Sequence, residues 1–266
     1  MRDERDKIRL ECLTRGIEHL VHFTHLCNVP GILKSGMIPR AHLRKGQGVR
    51  FSDEQRWDGE LEANCLTIQV PNERMFYKKC KEKRDWHWAV LLLDPSILWE
   101  TMCLFCRENA ASKLETQARR LQKTPRYGSV DDFRSMFRGD RDREPANDQA
   151  EVLVYDTIHP RKIRRICLAL DEDRETVLQD CPPEWERHLV VEPRWFPENH
   201  PGVGDPRGRP ALLVPGAQTA VDPVPTRGGA SLWRSALSSF QRRITRTWKW
   251  FRSHFSGTPD SPERRR

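Results

Sequence analysis

Hydrophobic residues fall into short clusters separated by charge, and the period of each cluster predicts an element. "HLVHFTHL" (19–26) alternates and is rich in β-formers, which predicts a strand. Asn28 then reads as the cap of a short helix, "VPGILKSG", with Pro30 in its first turn and Gly36 as its stop. "MIPRAHLRKGQGVRF" (37–51) is a loop with glycines at 46 and 48, and "NCLTIQV" (64–70) is a strand stopped by "PNE". "RMFYKKCKEKR" predicts a short helix, and "WHWAVLLLD" (86–94) predicts a buried strand closed by "PSILWE". "NAASKLETQARRLQK" favours helix, while "TPRYGSVDDFRSMFRGDRDREPAND" (124–148) reads as a long charged connection. "AEVLVYDTI" and "IRRICLALD" are strands, "DRETVLQDC" has helical character, and "RHLVVEPRWFP" is one last strand.

Strands clustered around short helices give a mixed α+β domain over the first two hundred residues. From 199 to 230 proline and glycine interrupt every pattern, so a linker is expected there. The segment 231–255 differs: Leu232, Ala236, Leu237, Phe240, Ile244, Trp248, Phe251 and Phe255 recur at helical spacing, and six basic residues meet no acid. The expected organisation is therefore a domain over 1–198, a flexible linker over 199–230, a basic amphipathic helix over 231–255 and a disordered tail over 256–266.

Charge sharpens this division. The chain carries 46 Lys and Arg against 38 Asp and Glu. Beyond residue 200 the count is 12 against 4, so the first 200 residues hold 34 of each sign. The basic character belongs to the tail. There is no apolar run long enough for a transmembrane helix, and the charged start "MRDERDKIRLECL" lacks a signal-peptide core, so a cytoplasmic protein is expected. Eight cysteines in such a chain read as reduced thiols. "CLFC" (Cys103, Cys106) has half of a zinc spacing, and His22, His25 and Cys27 are conceivable partners, but there is no second CxxC. No metal is expected.

One stretch carries a puzzle. In "NDQAEVLVYD" (147–156) Glu151 opens an otherwise apolar strand. Either it is a solvated strand end, or it is a carboxylate held at the mouth of a site. Three other pieces bear on the choice: "HFTH" on the first strand, "DEQRWDG" with Arg56 in a loop, and "PNERMFY" after the next strand. Together and in this order, with "QAEVLVY" and "VVEPRWF", these pieces resemble the DarT family of DNA ADP-ribosyltransferases, toxins of toxin–antitoxin pairs. The resemblance runs from about Leu20 to Pro197 and leaves the tail outside it.

The resemblance implies an ADP-ribosyltransferase fold with a split, strongly bent β-sheet core and short helices. It implies NAD consumed as a substrate, an acceptor base (thymine above all) in single-stranded DNA, and a macrodomain antitoxin as partner. It makes Glu151 and Arg56 the catalytic residues, and puts His22, Thr24, Met75, Tyr77 and Asn109 in the cofactor-binding set. The chemistry suits these residue types. Breaking the bond between nicotinamide and ribose builds positive charge on the sugar, which a carboxylate bonded to the ribose hydroxyls would oppose. Arg56 suits phosphate or base contact but not a free-standing base, since its pKa is above about 12. Arg50, in the same loop, competes with Arg56 for that match. His22 and Thr24 are two apart on a strand and share a face.

Two other readings remain open at this stage: the same transfer onto RNA, and a non-enzymatic binder of nucleic acid or an anionic membrane surface driven by residues 231–255, with Glu151 structural.

Overall fold

The computed structural model describes residues 2–43, 48–53, 55–116 and 128–200, and the statements below concern those residues. The expected linker, basic helix and tail therefore lie outside the described residues, apart from Asn199 and His200. Of the helix expected over 109–123, residues 117–123 lie outside them too, while 113–116 are helical.

The hydrophobic clusters become seven strands: β1 (Leu20–His25), β2 (Asn64–Ile68), β3 (Trp88–Leu93), β4 (Cys103–Cys106), β5 (Glu151–Val154), β6 (Ile163–Leu168) and β7 (Leu189–Val191). They form one sheet in the order β4-β5-β2-β1-β3-β6-β7. Neighbours run antiparallel except β6 and β7, which are parallel. This is the expected α+β class. β3 lies inside the sheet between β1 and β6 and is buried at every position, as its unbroken apolar run requires.

The sheet separates two cores. Leu20, Leu66, Ile68, Leu91 and Leu93 point into the larger one, against Ile8 and Cys12 of α1 (Arg2–Arg15), Ile97 and Leu98 of α4 (Ile97–Glu100), and Phe133. Val21, Trp88, Val90 and Leu92 point the other way, onto Phe76 and Cys80 of α3 (Glu73–Glu82). There Phe76 stacks on Phe23 at 4.4 Å between centroids and meets Trp88 edge-on at 5.7 Å. α3 begins at Asn72, whose side chain accepts from the Met75 amide at 3.0 Å, a cap worth about 1 kcal/mol.

Several elements depart from the sequence reading. α1 was not anticipated; it is held by Glu4, which accepts from the Val130 amide, and by Glu11 with Arg134. The charged connection contains a helix, α5 (Val130–Ser135), opened by a capping box between Ser129 and Asp132. "CLFC" is a strand, so Cys103 and Cys106 belong to different apolar clusters and cannot converge on one ion. None of the eight cysteines is paired in a disulfide. Asn28 precedes α2 (Val29–Ser35) but does not cap it with its side chain, because its amide is engaged elsewhere. α6 (Asp171–Leu178) forms as its pattern suggests.

Candidate active site

The site begins where two strands part. β1 and β2 pair only at Leu20–Ile68 and Val21–Thr67. Beyond Val21, β1 continues along β3 while β2 continues along β5. In this register His22 shares a face with Leu91, whereas Cys65 shares the opposite face with Leu153 and Glu151. A flat sheet would keep His22 and Glu151 apart. The parting lets both border one cavity of about 730 Å³, within the range of about 300–1,000 Å³ usual for small-molecule sites.

His22 spans the gap: its Nδ1 lies 2.9 Å from the Cys65 carbonyl. A carbonyl only accepts, so Nδ1 carries the proton and Nε2 is the acceptor of the neutral ring. Burial pushes the His22 pKa down, the bond to Cys65 works against that, and the Arg56 charge adds to it.

Glu151 opens β5 and is only 6% exposed, so it is not a solvated strand end. Oε1 accepts from Asn109 Nδ2 at 3.2 Å, and Oε2 accepts from the Ala110 amide at 2.9 Å. Asn109 is itself fixed, since its Oδ1 accepts from the Ala111 amide at 2.9 Å. The turn after β4 thus orients the carboxylate from 42 residues away. Cys65 lies close enough that Glu151, after burial itself, pushes its thiol well above the ordinary range.

The two candidate arginines occupy different corners. Arg50 is clipped by Asn28, whose Oδ1 accepts from the Arg50 amide at 3.0 Å and whose Nδ2 donates to its carbonyl at 2.8 Å. The Arg50 guanidinium meets His25 Nε2 at 3.2 Å and lies over Trp86. Arg56 sits on the other side, where its charge acts on His22 and Cys65. Burial opposes that charge, and the carboxylates Asp58 and Asp53 beside it support it. Arg56, not Arg50, lies within electrostatic reach of His22 and Cys65.

α3 forms another wall. Arg74, Met75, Lys78 and Lys79 line the cavity, a spacing that places them on one helical face. Tyr77 is two residues from Met75, about 200° around the helix. It is half exposed and outside the cavity lining, so Tyr77 does not join the others. Thr24 lines the cavity, with its hydroxyl accepting from Asn28 Nδ2 at 3.0 Å. Of the seven residues singled out in the sequence, Glu151, Arg56, His22, Thr24, Met75 and Asn109 meet in one place.

Sequence reasoning passed over Asn28, Asp58, Cys65 and the basic face of α3, all in the lining. The i, i+4 spacing of Arg74 and Lys78 was the readable signal for the last. Among the described residues, six cationic side chains (Arg40, Arg50, Arg56, Arg74, Lys78, Lys79) face three carboxylates (Asp53, Asp58, Glu151) around the cavity. A domain of balanced charge therefore concentrates positive potential at one opening.

A model of the family described as "ssDNA thymidine ADP-ribosyltransferase, DarT" matches residues 21–197, more than half of the chain. The chain belongs to the DarT family. Three solved structures are similar to this DarT-family chain. Thermus sp. 2.9 DarT in complex with ADP-ribosylated ssDNA shares 14% identity at a TM-score of 0.46, over 68% of this chain and 97% of that one. The same protein in complex with carba-NAD+ shares 15% at 0.44, over 67% and 97%. Thermosipho africanus DarTG in complex with ADP-ribose shares 18% at 0.43, over 67% of this chain and 51% of that one. These likenesses are loose, and family membership rests on the match over 21–197. No curated protein sequence matches the chain.

Proposed function

We propose that this DarT-family chain transfers ADP-ribose from NAD to a base of single-stranded DNA, thymine in the first instance, with Glu151 and Arg56 as the catalytic pair. The observation that carries the reading is the carboxylate of Glu151, buried at the border of the cavity and held by Asn109 and Ala110. A buried carboxylate fixed by two N–H donors is preorganised against positive charge developing on a ribose beside it, and such preorganisation costs nothing at the moment of reaction.

Each remaining residue has a task suited to its chemistry. The neutral His22 ring presents Nε2 as an acceptor, which suits a ribose hydroxyl. Thr24 and Asn109 would complete the polar contacts to the nicotinamide half of the substrate, with Met75 as an apolar wall. The cationic face of α3 and Arg40 suit phosphate oxygens, whether of the dinucleotide or of the DNA strand. NAD supplies the activated ribose. Arg56, held as a cation, would favour loss of the N–H proton from the acceptor base. In this reading the chain acts as a toxin in the cytoplasm, opposed by a macrodomain antitoxin, with a basic helix over 231–255 adding contact to nucleic acid or an anionic surface.

The test is incubation of the full chain with labelled NAD and short single-stranded oligonucleotides with and without thymine, in DNA and RNA versions. Adducts are then located by mass spectrometry. The expected result is an ADP-ribose adduct on thymine in DNA. Adducts confined to RNA would move the acceptor class, and no nicotinamide release with any strand would remove the enzymatic reading.

A further inference from the structure

Two residues beyond Arg56 lies a carboxylate that the proposed reaction does not use. The side chain of Asp58 is only 7% exposed, although it sits in a turn. Its Oδ1 accepts from Arg56 Nε at 2.9 Å and from the Glu60 amide at 3.2 Å, and its Oδ2 faces the Cys65 thiol at 3.7 Å. Arg56 Nη1 donates to the Ala63 carbonyl at 3.3 Å, and Nη2 donates to the Glu60 carbonyl. A guanidinium has five N–H donors. The turn engages one on each nitrogen, so one more on each terminal nitrogen remains for the cavity.

The turn also holds its own backbone against local preference. Arg56 has φ of +43°, in the left-handed region, which costs a non-glycine residue about 1–3 kcal/mol and persists only where the surroundings hold it. Those surroundings include the strand that bears Glu151: Tyr155, just past the end of β5, donates from its hydroxyl to Glu60 Oε2 at 2.9 Å. Asp58 and Glu60 therefore tie the arginine's turn to the carboxylate's strand by two routes, one through Cys65 of β2 and one through Tyr155.

We infer that Asp58 is a positioning residue: by clamping Nε it sets the plane of the Arg56 guanidinium and aims its two remaining donors at the acceptor base. This rests on the proposed role of Arg56 and adds a residue that acts only through it. A conformationally free arginine would have to surrender side-chain freedom at each turnover, and the clamp removes that cost beforehand.

The test compares wild type, Asp58→Asn, Arg56→Ala and the double variant, all in the full chain, for kcat and KM of DNA-dependent transfer and for melting temperature. Asp58→Asn should lower kcat about 10–100-fold, the range for losing a hydrogen bond to a charged group. The KM for NAD should stay within about twofold of wild type. On the Arg56→Ala background the same substitution should cause no further loss, because its effect passes through Arg56. A merely structural Asp58 would add its penalty in both backgrounds. If Arg56→Ala is impaired and Asp58→Asn is not, or if the losses multiply, the inference fails and the role of Arg56 survives. If Arg56→Ala transfers as well as wild type, or wild type transfers nothing, the proposed function fails and takes this inference with it. Should Asp58→Asn not fold, Asp58→Glu keeps the charge while displacing the carboxylate by one methylene, and the same comparisons apply.

Discussion

Two mostly buried arginines in this chain are held by one recipe and stand in different places. Arg15, at the end of α1, directs Nε to Glu11 at 3.2 Å and Nη1 to the carbonyls of Gly139 and Asp142, with its guanidinium 4.3 Å from the Phe137 ring centre. Arg56 directs Nε to Asp58 and its terminal nitrogens to the carbonyls of Ala63 and Glu60. The side chain of Arg15 is 2% exposed and that of Arg56 is 14%. Each satisfies a buried charge with one carboxylate and main-chain oxygens. The difference is what lies beside them. Arg15 ties α1 to the 139–142 turn and is not among the residues lining the cavity, whereas Arg56 lines the opening it shares with Glu151 and His22. A buried, well-bonded arginine is therefore no functional signal by itself; the neighbouring cavity and carboxylate make it one.

The largest effect that this contrast predicts is on the cavity side. Glu151→Gln should cut ADP-ribose transfer by about 10²–10³ or more, the usual cost of removing preorganised electrostatic stabilisation. The structure adds a detail: Glu151 accepts from two donors, and an amide offers only one oxygen, so some loss of stability should accompany the loss of rate. A melting curve beside the rate separates the two, and near wild-type turnover would remove Glu151 from the mechanism.

Next comes Arg56→Ala against Arg50→Ala. Arg56→Ala should reduce transfer at least as strongly, and mainly in the step to the base, since Arg50 is engaged with His25 and Trp86 in another corner. An inactive Arg50→Ala beside an active Arg56→Ala would reverse the assignment. On the clamp side, Arg15→Ala should destabilise the fold by about 1–3 kcal/mol while leaving kcat of the folded enzyme near wild type. Denaturant titration read beside activity would show it.

The smallest effect concerns pH. His87 Nδ1 lies 2.6 Å from Asp173, and that bond raises the His87 pKa above 6.5 although burial opposes it. A raised folded-state value contributes stability that is fully present below 6.5 and is lost as pH rises through the folded value. Asp173→Asn should therefore lower the melting temperature most below pH 6.5, with the gap closing as pH rises through the folded value of His87. His22, whose value is lowered, carries the opposite sign: its contribution falls as pH drops below 6.5. A gap for Asp173→Asn that widens with rising pH would show the pair to be wrongly assigned.

How much of this was readable beforehand depends on whether neighbours in sequence are also neighbours in space. Strands such as β1, β3 and β6 were legible because two-residue alternation or an unbroken apolar run directly encodes burial. α1 was not, because Leu10 and Leu13 are exposed while Ile8 and Cys12 are buried, so its apolar stripe is blurred and tertiary ion pairs hold it. Glu151 stood out only through the ordered motif, and nothing local could announce that Asn109 and Ala110 would fix it. Tyr77 lies outside the cavity lining for a physical reason: sharing a motif with Met75 does not mean sharing a helical face. Charge balances over the first 200 residues, and the basic surplus lies beyond them. Yet α3 gathers cations on one wall, a concentration that no sum over the sequence displays.

The contrast between the two arginines is tested most directly by measuring DNA-dependent transfer and melting temperature on the same preparations of Arg56→Lys and Arg15→Lys. Lysine keeps the charge but loses the planar fork that both environments use. The account predicts that Arg56→Lys loses most of its transfer with the smaller fall in melting temperature, and that Arg15→Lys keeps its transfer with the larger fall. The reverse pattern, or full transfer by Arg56→Lys, would contradict it.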